Sequence, residues 1–317
     1  MVTQFKERSF LMSFFVTLSA VAVMLLYAVP GWVLVKAKAV SHPQIPAFSK
    51  LLVYVCQPCL TIYSFRQAEF SFESAKNLGI CFAITMLLQL GLMLAYFILF
   101  KRKRQDIIWR VVNLAAVMSN CGFLGVPLLE ALLPDHPEAL AYSSVFSISM
   151  NLVGWSVGMY ILSLDKSYIR PKKMLINPAT IGLAIALPLY VFGITLPSQI
   201  DTMLTLLGRM STPLCMLVMG MRLATVPVKN IFSDKRQYFA VFLNQLVYPL
   251  LAFGLLYLLP IDATLKQTVV ILCACPVASM VQNYSEILGK GSDKAANMVL
   301  LGTMLSIVTV PLICMIL

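Results

Sequence analysis

Charge is what this sequence has least of. Only 12% of its 317 residues are Asp, Glu, Lys or Arg, against about a quarter in a soluble domain. Acids are scarcer than bases, 13 to 24. Histidine occurs twice, at His42 and His136, both in or beside polar links, so no transition-metal site is expected. No Gly-x-x-x-x-Gly-Lys-Ser/Thr run is present, which argues against ATP-driven chemistry within the chain. The apolar segments hold no grouping of base, nucleophile and orienting acid, so neither an enzyme nor a cofactor is expected. The eight cysteines (Cys56, Cys59, Cys81, Cys121, Cys215, Cys273, Cys275 and Cys314) all fall in apolar segments. They read as small membrane-core residues rather than a disulfide framework. The redox-like spacing of Cys56 and Cys59 has no soluble redox fold around it.

What the chain has in abundance is apolar surface: 60% of its residues are hydrophobic, too much for a soluble fold to bury. Its solvent is therefore a lipid bilayer, which a helix crosses with about 20 apolar residues. The apolar blocks predict an all-α integral membrane protein of about ten spans. They lie near 10–35, 46–65, 77–100, 109–133, 140–164, 178–196, 201–221, 238–259, 267–288 and 295–317. No removable signal peptide is expected, since the first block is too long and begins a series of similar ones.

The net charge of +11 sits in the short links, not on one face or in a tail, which argues against nucleic acid. Links after the odd-numbered spans hold 18 basic residues, among them Lys101, Arg102, Lys103 and Arg104, then Lys166, Arg170, Lys172 and Lys173, against four acids. The alternate links hold three bases against six acids. By the positive-inside rule the basic side is cytoplasmic and both termini lie outside.

Five spans per half is an odd number, so a repeat of the halves must be inverted. Pro58 and Pro213 are 155 residues apart, while Gln89 and Gln245, Arg66 and Arg222, and Glu130 and Glu286 are each 156 apart. The expected division is a first repeat over 1–164, a cytosolic link over 165–177 and a second repeat over 178–317. The fourth span of each half is interrupted, by Gly122, Gly125 and Pro127 in one and by Pro276 in the other. Pro58 and Pro213 are further candidate breaks. Interior proline frees a backbone carbonyl, and such groups are tolerated at membrane depth only inside protein or along a watery cavity. Two half-helix N-termini would then offer partial positive charge to an anion.

At these residues the sequence resembles the auxin efflux carrier family of membrane transporters. The resemblance lies in the run Asn120–Pro127, in Asn151–Trp155, in Asn177-Pro178, in Pro213 with Gly220, in Pro276-x-Ala278 with Glu286, and in Thr303, Ser306 and Pro311. It covers essentially the whole chain. It implies two inverted five-helix repeats with helices four and nine crossing at their breaks, as in the bile acid/sodium symporter fold. It further implies a scaffold of helices 1, 2, 6 and 7, an elevator-like moving domain of helices 3–5 and 8–10, a homodimer and a small organic anion as substrate. The short link between the halves suits a bacterial member, in the inner membrane.

Site residues follow from the breaks. Asn120, with Cys121 and Gly122 beside it, either meets a ligand carboxylate or caps freed backbone. Ser279, Gln282 and Asn283 share one helical face after Pro276, as a cavity stripe or as interhelical glue. Arg209, inside the seventh span, either attracts the anion or snorkels to the headgroups. Gln57, Thr212 and Asn151 are further candidates for the pocket. Glu130 and Glu286 are candidates for proton coupling or for a structural role. A sodium-coupled carrier of the bile acid type is the near rival, and would need oxygens arranged around a cation. A receptor that does not transport is the rival from another class.

Overall fold

The computed structural model describes the backbone of residues 2–169, 172 and 176–317, and side chains from residue 14 onward. Arg170 and Lys173 of the basic link lie outside the described residues. The described chain is almost entirely helical. Its only extended pairing is an isolated antiparallel bridge between Ser119 and Val277.

In chain order the helices are α1 (Val2–Leu26) and α2 (Ala28–Lys36), α3 (His42–Arg66), α4 (Phe72–Leu99), α5 (Ile107–Ala115), α6 (Gly125–Leu132) and α7 (Glu138–Ser163). They continue as α8 (Pro178–Val191), α9 (Ser198–Thr225), α10 (Lys235–Tyr257), α11 (Ala263–Ala274), α12 (Met280–Leu288) and α13 (Ser292–Cys314). Seven segments are long and apolar enough to cross a bilayer: Phe14–Lys36 through α1 and α2, then α3, α4, α7, α9, α10 and α13. The other three expected spans differ. The α5–α6 and α11–α12 pairs are broken in the middle, and α8 has 14 residues, about 21 Å of rise against a core of about 30 Å.

Several of the scarce acids are placed at helix starts. Asp106, Asp234 and Asp262 each accept the backbone N–H of a residue in the first turn of α5, α10 and α11, where negative charge also suits the helix dipole. Asn177 caps α8, accepting from Ala179 and Thr180, while the Thr180 hydroxyl accepts from Asn177 N–H.

Proline acts differently at different sites. Pro58 does not break α3. A wider π-turn over Leu52–Cys56 ends two residues before it, and another over Leu243–Val247 stands in the same relation to Pro249 in α10. The wider turn absorbs the missing donor and the ring's clash with the preceding turn. Pro213 does accompany an interruption of α9, whose regular helix ends at Arg209 and resumes at Ser211. The helix bends at Met210, and Pro213 falls in the first turn after the bend, where its lack of an N–H costs nothing.

Two sets of helices pack among themselves. α2 lies on α9, and α3 lies on α8 and α9. The α2–α9 crossing is so close that a β-carbon on Gly31 would overlap the Leu217 carbonyl, and one on Gly220 the Ala28 carbonyl. Elsewhere α4 lies on α7, α7 on α11, α11 on α10, and α10 and α12 on α13. The sets meet where α1 touches α6 and α13 and where α3 touches α7.

Candidate binding site at the crossing of two broken helices

Between α5 and α6, and between α11 and α12, the chain leaves the helix and the two unwound segments run antiparallel past each other. Asn120 N–H donates to the Pro276 carbonyl at 2.7 Å, and Ala278 N–H donates to the Met118 carbonyl at 2.9 Å. The break in each helix thus satisfies backbone groups of the other, as unwound chain at membrane depth requires. On either side of this knot the half-helices α6 and α12 begin. No backbone carbonyl among the described residues accepts from the N–H groups of Gly122, Phe123, Ser279 or Met280, the donors that a helix N-terminus leaves open.

A cavity of about 150 Å³ lies against this crossing. Gln57 of α3, Asn120, Cys121, Gly122 and Phe123 of the first break, and Asn151 of α7 line it. Ser279 and Asn283 line it from the second break. The aromatic rings of Tyr54, Trp155 and Tyr284 line it as well, with Tyr284 edge-on to Trp155 at 4.9 Å between centroids. No charged side chain among the described residues lines it. Among the described residues, any charge held there is met by amides, hydroxyls and peptide N–H groups.

The polar groups are fixed by their neighbours. Asn151 donates to the Ser147 carbonyl at 2.8 Å, and the Ser147 hydroxyl lies 3.1 Å from the Cys121 thiol. Ser143 donates to the Cys121 carbonyl at 2.7 Å, and Thr212 of α9 donates to the Phe123 carbonyl at 2.5 Å. Asn120 is buried, its amide 4.0 Å from the Cys215 sulfur of α9, too weak a contact to satisfy its two N–H donors. A β-carbon on Gly122 would stand 3.4 Å from the Ser147 hydroxyl and 3.8 Å from the Gln57 amide oxygen.

Of the residues nominated from sequence, the structure brings Gln57, Asn120, Cys121, Gly122, Asn151, Ser279 and Asn283 together at this cavity. Four others are placed elsewhere. Pro276 takes part through its backbone, as acceptor for Asn120. Thr212 and Arg209 face a second groove on α9, with Glu130 opposite. Arg209 is an exposed cation 3.4 Å from Glu130, which also accepts from the Tyr63 hydroxyl at 2.7 Å. Gln282 faces a third groove and donates to Glu286 at 2.8 Å. Glu286 pairs with Arg222 of α9 at 3.4 Å. Arg209 and Arg222 are 13 residues apart on α9, a rise of about 20 Å, with Thr212 and Cys215 at the level of the crossing between them. Gly125 and Pro127 open α6 rather than line the cavity.

Ser147, Tyr54 and Tyr284 line the cavity without having been expected from the sequence, and Trp155 stood there only within the run Asn151–Trp155. Ser147 carried the only signal that could have found it, a hydroxyl within an apolar helix.

An all-helical, membrane-crossing chain with a polar cavity at two broken helices has the architecture of a membrane transport protein. The family of that description, membrane transport protein, matches the chain over residues 15–171 and again over 162–314. The chain belongs to this family, that of the auxin efflux carriers. No curated protein matches it.

Proposed function

We propose that the protein is a secondary carrier for a small organic anion, a mono- or dicarboxylate, held at the crossing of the two broken helices. The observation that carries this reading is the uncharged polar cavity fed by two half-helix N-termini. Neutral donors at helix starts suit a carboxylate, and they hold it without a fixed countercharge that would prevent release. The cavity's about 150 Å³ favours an acid of few carbons, since sites for drug-sized ligands run from about 300 Å³ upward. Asn120, Gln57, Asn151, Ser279 and Asn283 are the proposed ligand contacts.

The same reading takes the helices as ten spans in two inverted repeats, counting α5–α6 and α11–α12 as one span each. A scaffold of α1–α3, α8 and α9 would carry a moving unit of α4–α7 and α10–α13. The mutual packing of α2, α3, α8 and α9 supports this division, while α1 lies mainly against α13 and α6. The cavity's lining reaches Asn177 and Tyr54, towards the basic links, so the cavity faces the cytoplasm if those links do. Proton coupling through Glu130 or Glu286, homodimer assembly and a bacterial inner membrane belong to this proposal as well. The sodium-coupled alternative finds less support, because no carboxylate among the described residues lines the crossing cavity.

The test is uptake of labelled malonate, malate and indole acetate into proteoliposomes, with and without proton and sodium gradients. Saturable uptake of one of them, lost in Asn120→Ala protein that remains folded, is the expected result. Absence of flux for all three from folded protein would overturn the carboxylate reading.

A further inference from the structure

A different concave surface lies on the membrane-facing side, away from the crossing. α13 packs along α1 but diverges from α2 and α9. The gap is a groove of about 440 Å³. Leu25, Val29 and Trp32 form one wall, Met219 and Leu223 the second, and Met304 and Ile307 the third. Its one hydroxyl among the described residues, Thr303, already donates to the Val299 carbonyl at 2.8 Å, and the walls are otherwise apolar save for the Trp32 indole N–H. α2 and α9 are locked backbone to backbone through Gly31 and Gly220, so neither can shift across to fill the gap.

At one end the chemistry changes. Leu25, Val29, Trp32 and Lys36 fall at i, i+4, i+7 and i+11 on one helical face. The stripe that lines the groove therefore ends in a cation. The Lys36 ammonium sits 5.8 Å from the centre of the Trp32 ring, and no carboxylate pairs with it among the described residues. Both side chains are exposed. An indole with a lysine one turn beyond it is a membrane-interface arrangement, with the ring at headgroup level and the ammonium reaching to phosphate.

We propose that this groove is a lipid site: one acyl chain of an anionic phospholipid lies between α2, α9 and α13, and its headgroup phosphate pairs with Lys36. The apolar walls select a hydrocarbon chain, and the unpaired ammonium beside Trp32 selects the charge of the head. A zwitterionic lipid fills the same walls but gains less from Lys36, because its own cation offsets the phosphate.

The first experiment is native mass spectrometry of delipidated protein titrated with phosphatidylglycerol or phosphatidylcholine. One phosphatidylglycerol per chain is retained, with affinity about fivefold above phosphatidylcholine, the weight of one lysine at an anionic surface. Lys36→Gln removes that preference, and Thr303→Trp, which fills the groove, removes the bound lipid. A second measurement locates the site without relying on those variants. In nanodiscs with Trp109 and Trp155 replaced by Phe, brominated phosphatidylglycerol quenches Trp32 more than brominated phosphatidylcholine at the same mole fraction. Equal retention and equal quenching by the two lipids would mean bulk lipid only, and would overturn the proposal. Trp32 shielded from both lipids would overturn it as well, and would point to a second copy of this chain over the groove.

Discussion

The two breaks that meet at the crossing are built differently. The first is long: helix ends at Ala115 and resumes at Gly125. It supplies the cavity from within the unwound stretch, through Asn120, Cys121, Gly122 and Phe123. The second is short, from Ala274 to Met280, and centres on Pro276. It supplies the cavity mainly from the start of the next helix, through Ser279, Met280 and Asn283. Asn120 and Pro276 are separated by the same 156 residues as Glu130 and Glu286, and it is these two that bond at 2.7 Å. At matched places one half offers an amide side chain and an N–H, the other only a carbonyl. The break positions match, and under the proposed reading three contact side chains (Gln57, Asn120, Asn151) come from the first half and two (Ser279, Asn283) from the second.

The largest expected effect breaks that asymmetry directly. Asn120→Ala removes the one amide side chain that the unwound stretch itself places at the centre. It should cut uptake at least about tenfold, the weight of one or two hydrogen bonds to a charged ligand. Pro276→Ala keeps the carbonyl that Asn120 N–H uses and should cost less. Initial rates in proteoliposomes decide this, and a Pro276→Ala defect larger than that of Asn120→Ala would reverse the assignment of the two breaks.

Next in size is a difference in packing within the first break. A β-carbon on Gly125 would come 2.6 Å from Leu272 of α11, whereas one on Gly122 meets ordinary contacts at 3.4 Å and beyond. Gly125→Val should therefore lower stability by about 1–3 kcal/mol, as overpacking does. Gly122→Ala should leave stability nearly unchanged and act on uptake alone by narrowing the cavity. Thermal unfolding in detergent, read beside uptake, separates the two.

The two glutamates sharpen the comparison further. Both take an arginine from α9, but the Arg222 side chain is 13% exposed and that of Arg209 60%. Removing Glu286 strands a cation inside protein, while removing Glu130 leaves one that solvent reaches. Glu286→Gln should cost about 2 kcal/mol of stability, and Glu130→Gln less than about 1 kcal/mol. Denaturation midpoints that rank the other way would show that the Tyr63–Glu130 bond outweighs burial.

Much of this was legible in the sequence, for physical reasons. Lipid demands long apolar helices, so the long spans follow from hydropathy. Glycine and proline in mid-membrane mark the two breaks because little else interrupts a helix there. The failures are equally physical. Pro58 read as a break because a π-turn one turn earlier leaves no sequence mark. Ser279, Gln282 and Asn283 share a helical face, yet Gln282 and Asn283 lie about 100° apart around the axis. The ridge between them divides the crossing cavity from the groove of Glu286. Arg209 stayed open between anion partner and snorkelling side chain because nothing in the sequence reveals that Glu130, 79 residues away, pairs with it.

The smallest effect concerns a region away from the crossing, in the basic links. Asp234 accepts from Arg236 at 2.9 Å, and Lys294 lies 3.3 Å from it. Arg236 in turn reaches Asp106 at 2.9 Å, so the starts of α5, α10 and α13 are joined through one guanidinium and one ammonium. The Arg236 hydrogen bonds, with the helix-start N–H and Lys294, hold the Asp234 carboxyl well below the ordinary carboxylate range. A folded-state pKa lowered in this way stabilises the fold at every pH above the ordinary carboxylate value and loses that contribution as acid titrates the folded group. Stability should therefore hold flat from neutrality down to about pH 4 in this respect and fall below it. Asp234→Asn should lower the neutral-pH plateau slightly and flatten the acid limb. Melting temperatures of the two proteins between pH 3 and pH 7 test this, and parallel curves over that range would mean that Asp234 acts only as a neutral helix cap.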